Sequence, residues 1–108
     1  MSCENDPKKP EKTNPLIGTW DGINVITGEF DNIRVVFTKT DMKIFLDKTK
    51  TEPDYINQYS YNENEEYQVH IFNKDNPGVN YDYKIDYDVY SPGTYLIGIN
   101  GDRLKKVK

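Results

Sequence analysis

The chain has 108 residues, 35% hydrophobic and 30% charged, with net charge −4 and pI near 4.9, which allows one small domain and argues against nucleic acid as a partner, since phosphate needs a basic face. Nine tyrosines, four phenylalanines and one tryptophan supply the large apolar areas that the aliphatic content lacks. No stretch approaches the ~20 apolar residues of a spanning helix, and a single cysteine excludes both an internal disulfide and a cysteine-based zinc cluster.

Alanine is absent while Asn, Lys, Asp, Ile and Tyr are abundant, which favours strands over helices. Residues 1 to 15 carry Pro7, Pro10 and Pro15 among charged neighbours and show no periodicity, so they are expected to form a flexible tether. Cys3 stands near its head, after Ser2 and before Glu4, Asn5 and Asp6. This resembles the mature start of a bacterial lipoprotein, in which a small residue precedes the acylated cysteine. The resemblance implies lipidation at Cys3 and an outer-membrane location in the cell envelope, with Met1 and Ser2 left from a cut or re-engineered terminus. The acidic residues after Cys3 also resemble the surface-export signal of Bacteroidetes lipoproteins. The alternative is a cytoplasmic protein with an exposed thiol.

From Leu16 onward, alternation and turn residues cut the chain into about eight strand-like segments. The first, residues 18 to 26, sets Trp20 on a face with Gly18 and Gly22. Gly28, Asp31 and Asn32 mark a turn, and residues 33 to 38 then align Ile33, Val35 and Phe37. Residues 42 to 47 align Met42, Ile44 and Leu46, and a polar loop containing Pro53 follows. Residues 55 to 61 put Tyr55, Asn57, Tyr59 and Tyr61 on one side, and residues 65 to 72 align Tyr67, Val69 and Ile71. After the turn formers Asn73 to Gly78, residues 80 to 90 alternate Tyr81, Tyr83, Ile85, Tyr87 and Val89 against Asp82, Lys84, Asp86 and Asp88. Residues 94 to 99 and 102 to 107 complete the series across an Asn100-Gly101 hairpin signal.

Consecutive short strands with hairpin-length links predict an all-β antiparallel meander, closed most simply as an eight-stranded up-and-down barrel, with an open two-sheet sandwich as the alternative. A first strand opening Gly18-x-Trp20 and a basic residue, Arg103, on the last strand resemble lipocalin-like proteins, in particular the small lipocalin-like domains of Bacteroidetes lipoproteins. The likeness covers residues 16 to 108. It implies that Gly18, Trp20 and Arg103 meet where the barrel closes, with Arg103 laid across the Trp20 ring as a plug. The chain departs from the full lipocalin pattern in its short length and in having no room for a long helix after the barrel.

The tyrosines Tyr55, Tyr59, Tyr61, Tyr67, Tyr81, Tyr83, Tyr87 and Tyr95 carry more hydroxyls than a small dry core can satisfy, so some are expected to reach water or a cavity; core or rim packing is one reading, and a shallow, polar-aromatic barrel mouth lined by Tyr55, Tyr59, Tyr61, Tyr81, Tyr83 and Tyr87 is the other. His70 and Asp82 read as solvated surface. No Ser/His/Asp spacing with a nucleophile elbow, metal-ligand cluster or phosphate-cradling glycine loop stands in the sequence, so no catalytic residue, cofactor or metal is assigned. The expected function is therefore non-catalytic, ligand-binding and membrane-tethered. The expected ligand is a small molecule, sugar or peptide, and the alternative is a protein partner, such as an enzyme to be inhibited, held by loops or an aromatic strand face.

Overall fold

The computed structural model describes residues 14–24, 26–88, 93–99 and 101–108, with side chains described for all of these but 87 and 88. Eight antiparallel strands form one closed barrel: β1 (Gly18–Ile23), β2 (Phe30–Phe37), β3 (Asp41–Phe45), β4 (Tyr55–Tyr61), β5 (Val69–Phe72), β6 (Asn80–Asp88), β7 (Gly93–Gly98) and β8 (Arg103–Lys106). Each pairs with its sequence neighbour and β8 returns to β1, through Trp20 opposite Lys106 and Gly22 opposite Leu104. The sandwich alternative is thereby excluded, because closure leaves neither sheet edge unpaired. The architecture is compatible with a small lipocalin-like barrel.

Closure at the seam requires glycine at position 18. Its φ is +142°, and a Cβ there would lie 2.3 Å from the Lys108 carbonyl oxygen, which instead accepts the Thr19 N–H at 3.2 Å. Backbone hydrogen bonds thus help to stitch the two end strands together, Val107 N–H also donating to Thr19 O at 2.8 Å.

Strand boundaries shift from the expected ones where side chains offer the backbone another partner. β1 stops at Ile23 because the Asn24 side chain accepts the N–H groups of Ile26 and Thr27, bending the chain away. β2 begins earlier than expected, at Phe30, so Asp31 and Asn32 lie in a strand and not in a turn. β5 begins only at Val69. The polar run before it is a loop closed by Asn62 N–H donating to Gln68 O at 2.8 Å.

Alternation sends one row of each strand inward. The core is Leu16, Trp20, Val35, Phe37, Met42, Tyr59, Val69, Ile71, Tyr83, Leu96 and Leu104, every one buried. On the outer surface, Asp21 is nonetheless buried, gripped by Arg34 from β2 through Nε at 2.7 Å and Nη2 at 3.0 Å, with Lys48 at 3.4 Å. The Arg34 guanidinium beside it is the main reason that its carboxyl is held below the usual carboxylate range, against the opposing effect of burial.

Candidate functional site

Up-and-down connectivity places the chain termini and the turns 38–40 and 62–68 at one end of the barrel. This end is filled. Trp20 is fully buried, its Nε1–H donates to Leu16 O at 2.8 Å, and its ring meets the edge of Phe37 at 6.2 Å, which in turn meets Tyr59 at 5.1 Å. The Tyr59 hydroxyl donates to Thr38 O at 2.6 Å and accepts from Asn14 Nδ2 at 2.8 Å. Burial pushes its pKa up. The Lys106 ammonium donates to Pro15 O at 2.9 Å while sitting 5.8 Å from the Trp20 ring centroid.

Two expectations are corrected here. The cation beside Trp20 is Lys106, not Arg103. Residues three apart on a strand face opposite ways, and the register sets Lys106 against Trp20, so Arg103 falls in the outer row, opposite Ile97. Its guanidinium carbon lies 6.0 Å from the Tyr95 ring, and its Nε is buried without an acceptor among the described residues. The tether boundary moves as well: Asn14 and Pro15 belong to the filled end, through the contacts just given. Cys3 lies outside the described residues.

The opposite end carries the connections 24–29, 46–54, 73–79 and 99–102 and holds an open cup of about 450 Å³. Val35, Met42, Ile44 and Leu104 line it from the inner rows, with Ile33 and Ile26 higher up and the Tyr81 and Tyr83 rings on one side. Trp20 is not part of this lining. Gly22 leaves room at the wall, since a Cβ there would point at Asp31 and Ile33 from an ordinary 3.6 Å. Asp31 near the start of β2 and Asp102 just before β8, both exposed, also line it, as do Ile23, Asn24, Gly101 and Arg103.

The six candidate tyrosines therefore separate. Tyr81 and Tyr83 line the cup, edge to face at 5.6 Å. Tyr59 belongs to the filled end, and Tyr61, opposite Val69, sits in the same half of β4. Tyr55 shares their inward row but stands at the strand's mouth end, 58% exposed, and is not part of the cup wall. The Tyr87 side chain lies outside the described residues. Tyr83 is the most unusual of the set: it is 5% exposed and donates no hydrogen bond to any described residue. Burial, and behind it the neighbouring Tyr81 and Asp102, pushes its pKa far up, with no hydrogen bond to oppose them. Tyr81 is pushed the same way by burial, relieved partly by a hydrogen bond with the Asn57 side chain.

A second hollow, of about 430 Å³, lies on the outer face of β4, β5 and β6. Here register builds a row that linear spacing concealed. Ser60 stands opposite His70 and His70 opposite Asp82, with His70 Nδ1 2.7 Å from Asp82 Oδ1. No hydrogen bond joins Ser60 to His70 among the described residues, and Glu65 and Glu66 on the rim would oppose an oxyanion. The row acts as a polar bracket across three strands. Among the described residues no group of three or more His, Cys, Asp or Glu is placed to hold a metal ion.

Comparisons with protein-family models, with curated proteins and with solved structures found no match.

Proposed function

We propose that this protein is a non-catalytic, lipocalin-like binding module that takes a small ligand in its open barrel mouth. The observation that carries this reading is the open cup of about 450 Å³ itself, with an apolar wall and the Tyr81 and Tyr83 rings on one side. The Tyr83 hydroxyl donates to no described residue, so a ligand oxygen or nitrogen arriving in the cup takes its hydrogen bond in place of water. The apolar wall below supplies affinity and the hydroxyl supplies orientation, the usual division of labour in a small-molecule site. The membrane tether belongs to the same proposal, with Cys3 carrying the lipid at the head of a Pro-rich linker. Labelling cells with an alkynyl fatty acid tests it, since Cys3→Ser then removes the label.

The test of the cup is Gly22→Leu. The glycine has no positive φ, so leucine is tolerated by the backbone and its side chain fills the mouth. Calorimetric titration with neutral, ring-bearing probes such as indole should show binding to the native chain and none to Gly22→Leu. Equal binding to both would reject the cup as the site.

A protein partner is the second reading. It is favoured by the exposed apolar side chains Ile26, Leu46, Tyr55 and Ile99, which connectivity gathers around the same mouth. Under that reading Leu46→Ser, outside the cup, abolishes capture of the partner while indole binding stays intact.

A further inference from the structure

We propose that Tyr81 sets the specificity of the cup by giving its hydroxyl proton to a carbonyl-type oxygen on a ring-sized, otherwise apolar ligand. The inference rests on the cup being a ligand site, and it concerns only the polar group that the ligand presents.

A tyrosine hydroxyl ordinarily both donates and accepts, so by itself it does not tell an acceptor from a donor. Here a chain of side-chain amides removes that ambiguity. It begins in the connection between β5 and β6, where Asn73 Oδ1 accepts the Asp75 N–H at 2.8 Å. The Asn73 amide nitrogen therefore faces the other way, donating to Ile56 O at 3.1 Å and to Asn57 Oδ1 at 3.0 Å. Asn57 is 6% exposed, on the inner row of β4 opposite the cup-lining Met42. With its oxygen turned to Asn73, its amide nitrogen is left to meet Tyr81, which comes from β6 on the far side of β5. A bond donated in that sense favours the phenolate, in keeping with the downward pull of Asn57 on the Tyr81 pKa.

The Tyr81 hydroxyl thus receives from the wall and gives to the cup. No described residue accepts its proton, and Asp102 acts on it through charge alone. Tyr83 brings a second ring to the same wall, 5.6 Å from the first. A carbonyl oxygen carries two lone pairs, so it can accept from Tyr81 and still serve Tyr83. An N–H or O–H of a ligand would instead meet the donor side of Tyr81, and the site discriminates against it there. The ring body of the favoured ligand rests on Val35, Met42, Ile44 and Leu104.

The test uses the full chain and three bicyclic probes of nearly equal size: indanone with a carbonyl acceptor, indole with an N–H donor, and indane with neither. Calorimetric titration should place indanone ahead of both others by roughly five- to tenfold, the value of one neutral hydrogen bond. The indanone-to-indane ratio should fall towards unity in Tyr81→Phe, which keeps the ring and removes the donor. It should fall partway in Asn73→Ala, where Asn57 is free to turn over and offer its oxygen to Tyr81. The carbonyl stretch of bound, isotopically labelled indanone should lie at lower wavenumber in the native chain than in Tyr81→Phe, a readout that lost packing alone does not move. A ratio unchanged in either variant would overturn the assignment. Equal affinities for indanone and indane, with both lost in Gly22→Leu, would overturn it and leave the cup standing. Absence of binding by all three probes would overturn both.

Discussion

The two ends of this barrel are built from the same strands and the same residue types, yet they do opposite things with a buried aromatic. At the filled end Trp20 and Tyr59 each spend their polar atom on the backbone, at Leu16 O and Thr38 O, and residues 14–16 fold in to receive them. At the mouth Tyr83 is as deeply buried as Tyr59 but donates to no described residue. A fully satisfied aromatic cluster contributes stability, whereas a hydroxyl left to water beside an open space contributes little and stays available. The difference sets a packed end against an open one, and the open one is where binding is proposed.

The sharpest way to break that contrast is Trp20→Ala, expected to cost ~3 to 5 kcal/mol in chemical denaturation, because the ring is fully buried. Ile33→Ala at the mouth should cost ~1 kcal/mol or less, its side chain being partly in solvent already. Combining Trp20→Ala with Lys106→Ala should give less than the sum of the two losses, while the combination with Arg103→Ala should be additive, since Arg103 lies on the other face. Additivity with Lys106 would remove that cation from the plug.

Truncation tests the same end from the chain terminus. Deleting residues 1–13 should leave the melting temperature unchanged. Extending the deletion through Leu16 should cost ~2 to 4 kcal/mol, through the loss of a fully buried leucine and of the acceptor for Trp20. Equal melting temperatures for the two deletions would show that residues 14–16 do not cap the barrel.

Between the ends, the Asp21–Arg34 pair clamps β1 to β2. Asp21→Asn should cost ~1 to 3 kcal/mol, less than a fully buried pair because Arg34 reaches solvent. The folded-state pKa of Asp21 is lowered, so its contribution is fully present above the ordinary carboxylate range and is lost as pH falls through the folded value. Native and Asp21→Asn stabilities should therefore converge in acid. A constant gap from pH 7 down to strongly acidic conditions would contradict the assignment.

The smallest effect is the most telling for the comparison. Tyr59→Phe removes a made hydrogen bond and should destabilise by ~1 kcal/mol, whereas Tyr83→Phe removes an unmade one and should be neutral or slightly stabilising. Equal losses at the two positions would mean that the ends are not different in kind.

How much of this was legible in the sequence depends on whether a feature needs alternation alone or alternation plus register. Period-two patterning was enough to place Trp20, Val35, Phe37 and Met42 inward and to anticipate closure, because inward or outward is a property of a single strand. Arg103 went wrong because its face relative to Trp20 depends on which residues pair across the seam, and an odd step along β8 reverses the answer. Asp31 was hidden for a different reason, since Asp31 and Asn32 carry a turn signal, yet both lie within β2, at the register irregularity opposite Gly22. The Ser60–His70–Asp82 row was invisible because its members are neighbours only through cross-strand registers. Of the tyrosines, the shared inward row of Tyr55, Tyr59 and Tyr61 was legible, but which end each one occupies follows from strand direction, and only Tyr81 and Tyr83 reach the cup.

The central claim is that one end of the barrel receives and the other does not. A nuclear magnetic resonance titration of the isotopically labelled chain with indole reads both ends at once. Dose-dependent shifts should concentrate at Gly22, Ile33, Ile44, Tyr81 and Tyr83, while Trp20, Phe37 and Tyr59 stay still. Shifts at Trp20 and Tyr59, or shifts spread over the outer strand faces, would contradict the account.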